Sequence, residues 1–256
     1  MLVVSCIVVT DVLALMCPPD RVWRHERRTM KRSLVVLISS IAPLLYAEHD
    51  TEKRMVESAN VLTEILNAKD HSIPSDLLQK AECVGVIPNL KRAGFIVGAK
   101  FGKGVITCRV AGGSGWSAPS IVKVEGGNIG LQIGAGETDV VMVVMNQKGM
   151  QSLMKDKFTV GADATAMAGP VGRSTEAKTD ARMRAEILSY SRSRGVFAGV
   201  TLDGATLRPD TDDNVKLYGA GVTQEQILHG KVPVPAGAKA LHAVLNNYPP
   251  SGGGDN

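Results

Sequence analysis

From residue 83 onward the chain is a succession of short apolar runs rich in valine and isoleucine, and glycine interrupts nearly all of them. CVGVIP (83–88), AGFIVGAKFG (93–102) and GVITCRV (104–110) follow one another closely. Valine and isoleucine suit a pleated, half-buried surface, and glycine inside such a run marks a turn, a bulge or a close backbone approach. The three runs predict successive strands joined by tight turns. Ile121–Glu125 alternates apolar and charged residues, as a half-exposed strand does. Asp139–Asn146, DVVMVVMN, is continuously apolar between polar ends and predicts a central strand covered on both faces. Further strands are expected around Ala164–Ala168, Ala185–Ser191, Gly195–Leu202 and Ala205–Leu207.

Helical spacing flanks this region. Residues 51–68 carry Met55, Ala59, Leu62 and Leu66 on one stripe, with Asp50 or Thr51 placed to cap the start. Short helices are expected at Pro74–Ala81 and Lys148–Met154, and again at Asp213–Tyr218, Thr223–His229 and Ala236–Leu245. No internal repeat appears and no linker divides the stretch. The expected fold class is α+β, a single domain with a mainly antiparallel glycine-rich β-sheet and helices at the N- and C-terminal ends.

The segment ahead of it has a different character. Residues 30–47, MKRSLVVLISSIAPLLYA, open with Lys31 and Arg32, continue as an apolar run from Ser33 to Leu45 and end on the small Ala47. Thirteen such residues rise about 20 Å as a helix, short of the roughly 30 Å hydrocarbon core. A cleaved export signal fits better than an uncleaved anchor. Residues 1–29 fit poorly in front of it, and Met30 is taken as the start, with 1–29 a mis-assigned extension. The rival is a lipoprotein signal ending at Cys17, but Leu15 and Met16 are bulky neighbours for a lipidated cysteine. On this reading the domain spans 48–248, and 249–256, within PPSGGGDN, is a disordered tail.

Two cysteines then remain, Cys83 and Cys108. In an oxidising compartment an even pair forms a disulfide, here closing a loop of about 25 residues worth on the order of 3 kcal/mol. Two buried thiols in neighbouring strands are the alternative.

Charge excludes one class of partner. The formal net charge is +4, but six of the 29 basic residues and three of the 25 acidic ones lie in residues 1–47, so the rest is nearly neutral at +1. Aromatic residues make up only 4%. Neither figure suits a nucleic-acid binder. The usual signatures of catalysis are missing as well. Gly113-Ser-Gly115-Trp-Ser-Ala118 matches a dinucleotide pattern formally, but Pro119 and then Ile121-Val122 read as a turn into a strand, where a phosphate loop must open a helix. His49, His71, His229 and His242 stand singly, without metal-ligand spacing, and Ser114 has Trp116 where a nucleophile elbow needs glycine. No cofactor, metal or catalytic residue is expected.

Several phrases together resemble the SYLF, or Ysc84-like, domain family. They are AECVGVIP (81–88), GFIVGAKFGKGVITCR (94–109), GWSAPSIVKVEGGNIGLQIGAGETDVVMVVMN (115–146), GADATAMAGPVGR (161–173) and YSRSRGVFAGVTLDG (190–204), followed by DNVKLYG (213–219). The resemblance implies a lipid-binding module. Eukaryotic members bind phosphoinositide membranes and, in fungi, actin filaments, usually beside another signalling domain. Bacterial members typically stand alone behind an export signal. The expected partner is therefore a phospholipid or membrane surface in the periplasm or cell envelope, with an envelope protein partner as the alternative.

Two basic clusters are candidates for lipid contact: Lys91, Arg92, Lys100, Lys103 and Arg109, and then Arg173, Arg182, Arg184, Arg192 and Arg194. Each cation near an anionic surface contributes about 1 kcal/mol, so four or five converging on one face give weak, salt-sensitive adhesion. The alternative is a solvated sheet face balanced by nearby carboxylates, with Arg194 and Asp203 a structural pair. Helix 51–68 is a further candidate, but Glu52, Glu57 and Glu64 make its polar face partly acidic. Packing against the sheet is the favoured role for its stripe.

Overall fold

In the computed structural model, the described residues are 50–68, 72–94, 97–112, 115–129, 134–171, 185–193, 196–199, 202 and 204–250. The expected extension 1–29, the expected leader 30–47, Cys17, most of the tail, and Arg173, Arg182, Arg184, Arg194 and Asp203 lie outside them.

Helix α1 (residues 50–66) and α2 (Ser75–Lys80) precede two long strands, β1 (Cys83–Gly94) and β2 (Val97–Cys108). A second long pair follows, β3 (Ser120–Ile129) and β4 (Gly134–Val144), then α3 (Gln147–Leu153). Short strands come next: β5 (Phe158–Thr159), β6 (Ala166–Ala168), β7 (Ile187–Ser193), β8 (Val196–Gly199) and β9 (Thr206–Pro209). The chain closes with α4 (Thr211–Tyr218), α5 (Gln224–Leu228), a 3₁₀ turn (Ala236–Ala238) and α6 (Lys239–Asn246). The strands form one sheet in the order β5-β9-β3-β2-β1-β4-β7-β6, with β8 added to β7, and every pairing is antiparallel except β6 with β7. The α+β class, with an antiparallel sheet and helices toward both ends, is the observed one.

The three runs expected as three strands make two. AGFIVGAKFG contains the end of β1, the start of β2 and the connection between them. Nor does CVGVIP end a strand at Pro88. Proline lacks the N–H that a central ladder uses, and β1 absorbs it in a bulge. Between the pairs Val86↔Val105 and Lys91↔Phe101, four residues of β1 face three of β2. Asn89 turns into the left-handed region at φ 51°, a conformation asparagine tolerates better than most residues. Its N–H donates to Asp139 Oδ1 at 2.9 Å. Gly104 lies beneath: a Cβ there would sit 2.4 Å from the Val86 carbonyl oxygen.

Before the bulge β1 is buried on both sides. Val84 and Val86 share one core with Met55, Ala59, Leu62 and Ile65 of α1 and Leu241 and Leu245 of α6. Cys83 and Ile87 share the other with Met150 and Leu153 of α3 and Leu228 of α5. Full burial of a side chain of this size is worth about 1.5–3 kcal/mol, so the α1 stripe is committed to the core. Cys83 and Cys108, register partners on β1 and β2 and both wholly buried, are joined by a disulfide.

Candidate functional site

Side chains alternate across a strand, so the register fixes what each face carries. Past the bulge, Lys91 of β1 faces Phe101 of β2, which faces Glu125 of β3. Two residues along, Lys103 faces Lys123, which faces Arg208 of β9. Both rows lie on the α1 side of the sheet. With Arg54 and Glu57 of α1, Lys91, Phe101, Glu125, Lys103 and Lys123 line an open groove of about 390 Å³, bordered by Pro88 and Asn89 of the bulge. Phe101 is 50% exposed in it.

Like charges directly opposite each other destabilise a sheet, and Lys103 beside Lys123 needs a counter-charge. The chain supplies it from the start of α4. Asp210, whose side chain is fully buried, meets Lys103 Nζ at 2.5 Å and Lys123 Nζ at 3.0 Å. Asp213 meets Lys103 Nζ at 2.7 Å and Lys216 Nζ at 2.9 Å. Burial alone would pull the Lys103 ammonium down, but the hydrogen bonds and charges of the two aspartates outweigh it and hold its pKa above the usual lysine value. Burial likewise pushes Asp213 up, and Lys103 and Lys216 override it, bringing the carboxyl to about 2. This cluster is an internal tie between β2, β3 and α4. No sequence signal revealed it, because Asp213 lies 110 residues from Lys103.

Among the described residues, the cations of the first cluster do not share one face. Lys91 and Lys103 lie on the α1 side. Arg92 and Lys100, paired with each other across β1 and β2, follow the parity of Leu90 and belong to the opposite side. Among the described residues, no helix is long and apolar enough to cross a membrane, and no group of three or more metal-ligating side chains gathers.

Comparisons with known proteins bear on the family of the chain. A family model described as Ysc84, Las17-binding protein actin regulator, matches residues 125–248. The chain is 34% identical over 199 residues to the SH3 domain-containing YSC84-like protein 1 of Rattus norvegicus, covering 77% of this chain and 58% of that protein. It is 36% identical over 192 residues to LAS seventeen-binding protein 3 of Saccharomyces cerevisiae, covering 72% of this chain and 41% of that protein. The chain belongs to the Ysc84-like, or SYLF, family. It spans less than two thirds of the length of either relative.

Within this SYLF fold, two of the candidate arginines tie other elements of the domain together. Arg109 closes the family phrase GVITCR, and its guanidinium donates to the carbonyls of Leu78, Ala81 and Tyr248 while lying 4.4 Å from the Trp116 ring centroid. It ties α2 and the C-terminal end to β2. Burial lowers its pKa and the nearby Glu82 partly offsets that. Arg192, in the phrase YSRSRG, pairs with Asp139 at 2.8 Å and with Glu64 of α1. Since Asp139 also accepts the Asn89 N–H, one network joins the bulge, β7 and α1. Lys103 is likewise occupied by aspartates. Of the expected cations among the described residues, Lys91 alone combines exposure with a place in the groove. Arg54 of α1 joins it in the groove.

Proposed function

We propose that this SYLF protein is exported to the periplasm or cell envelope and binds a phospholipid surface there, anionic or otherwise exposed, acting by binding and not by turnover. The observation that carries the reading is the half-exposed Phe101 in an open groove beside Arg54 and Lys91. An aromatic ring with cations at its rim suits the boundary between acyl chain and head group, where one end of a contact is dry and the other wet. The broad basic patch expected from sequence contributes less, because Lys103, Arg109 and Arg192 are engaged internally. The apolar run Ser33–Leu45 and the Cys83–Cys108 disulfide support export.

Liposome flotation tests this. The folded protein is expected to float with phospholipid vesicles, less so as salt rises, and Phe101→Asp is expected to abolish flotation with unchanged circular dichroism. A folded wild-type protein that floats with no vesicle composition refutes the reading. A protein partner is the second reading, favoured by the match to a family model described as Las17-binding. One stoichiometric envelope partner recovered without lipid would support it.

A further inference from the structure

We infer that the groove over Phe101 takes a zwitterionic head group, a phosphate joined to an ammonium, in preference to a purely anionic one; the inference rests on the lipid reading above. Much of the charge around the groove is already cancelled. Lys103 and Lys123 are held by Asp210, and Glu57 lies 3.8 Å from Lys53. What remains is an ordered row. Lys91, Phe101 and Glu125 stand directly opposite one another on three adjacent strands, about 4.8 Å from strand to strand. The row reads cation, aromatic ring, anion. Among the described residues neither Lys91 nor Glu125 has an ion-pair partner within 4.0 Å, and Arg54 Nε is buried with no hydrogen-bond partner.

A lone phosphate would find Lys91 and Arg54 but would also meet Glu125, with Glu137 opposite Lys91 on its other side. Like-charge juxtaposition of this kind selects against a partner even where another contact attracts it. A phosphate tethered to an ammonium satisfies the whole row. The phosphate accepts from Arg54 and Lys91, while the ammonium lies between the Glu125 carboxylate and the face of Phe101, where the ring quadrupole attracts a cation. The side chains present supply both poles of the ligand and the order in which they must lie.

The test uses the full-length protein, titrated by NMR with glycerophosphoethanolamine and with glycerol 3-phosphate, and floated in parallel with phosphatidylcholine vesicles carrying either phosphatidylethanolamine or phosphatidylglycerol. Glycerophosphoethanolamine is expected to bind about tenfold more tightly than glycerol phosphate, with shifts at the Phe101 ring. Glu125→Gln, an exposed and nearly isosteric change, is expected to erase that preference. Equal binding of the two soluble probes, or a preference unchanged in Glu125→Gln, overturns the proposal. Equal flotation with both vesicle types overturns it too, but leaves the lipid reading standing. Failure to float with either overturns the lipid reading itself.

Discussion

Replacing Asp210 with asparagine separates charge from shape at the point where the C-terminal helices are tied to the sheet. The side chain of Asp210 is fully buried, between Lys103 Nζ at 2.5 Å and Lys123 Nζ at 3.0 Å. It also caps α4, accepting the Asp213 N–H, a role asparagine fills equally well. The amide therefore keeps the cap and the packing while leaving two ammoniums face to face across β2 and β3, of which Lys103 is still held by Asp213. Unit charges about 5 Å apart repel by about 3 kcal/mol at an effective dielectric of about 20. Removing one partner of a buried pair costs about 3–5 kcal/mol. Each lysine side chain is 36% exposed, so both swing partly into water and the cost falls to about 2–3 kcal/mol. In a domain of about 200 residues that lowers the melting temperature by about 5–10 °C. Urea unfolding followed by circular dichroism measures it. Asp210→Ala is expected to lose about 1 kcal/mol more, the worth of the cap. Adding Lys123→Met to Asp210→Asn is expected to restore most of the loss, since the repulsion is gone. A cost below about 0.5 kcal/mol for Asp210→Asn, or a double variant no more stable than the single one, refutes the electrostatic account.

Gly104→Ala places a Cβ 2.4 Å from the Val86 carbonyl and 2.9 Å from Ile87 Cα; a loss of about 3 kcal/mol is expected from overpacking against backbone, measured by the same urea titration. The paired change Cys83→Ser with Cys108→Ser opens a loop with a sequence separation of 25. About 3 kcal/mol of stability is expected to go with it, read as the gap between non-reducing and reducing melts of the wild type. Asp213 predicts an acid limb. Its folded pKa of about 2 lies below the ordinary 3.8, so its contribution is complete above the ordinary value and drains away as pH falls toward 2. Stability measured against pH is expected to drop less steeply over that window in Asp213→Asn than in the wild type.

The sheet was legible where a local composition decides the outcome. The DVVMVV of DVVMVVMN ends β4, buried on both faces because both cores close over it, and its unbroken apolar run says as much. Legibility ended where a strand depends on a distant residue. Pro88 reads as a strand terminator, yet β1 runs on past a bulge where Asn89 bonds Asp139, 50 residues away, and both neighbouring strands resume pairing. AGFIVGAKFG is strand-like throughout, so nothing in its composition marks where β1 gives way to β2. The two-residue β5 exists only because β9 pairs with it, and nothing local signals it. At the site, charge pattern identified cations without identifying their partners. Arg109 and Arg192 look like surface residues until three carbonyls and two carboxylates are brought to them by elements far along the chain. Thr223 shows the converse, since its capping box with Gln226 is local and places the start of α5 correctly.

The bulge explains why the groove lies where it does. On one side of Pro88–Asn89, β1 alternates between two cores, its end is fixed to β2 by the disulfide, and Arg109 holds α2 and the C-terminal end to β2. On the other side the same strand carries Lys91 and Ala93, both exposed, opposite the exposed Phe101 and Ala99. One extra residue between these halves re-aims the strand, and Pro88 and Asn89 themselves border the groove. The network from Asn89 through Asp139 and Arg192 to Glu64 then fixes α1 to that border, and α1 is the helix that delivers Arg54. The buried half is thus what gives the exposed half a defined shape. A substitution that relaxes the bulge without unfolding the sheet would loosen the groove before it lowered stability, which distinguishes a site built by the fold from a patch that merely lies on it.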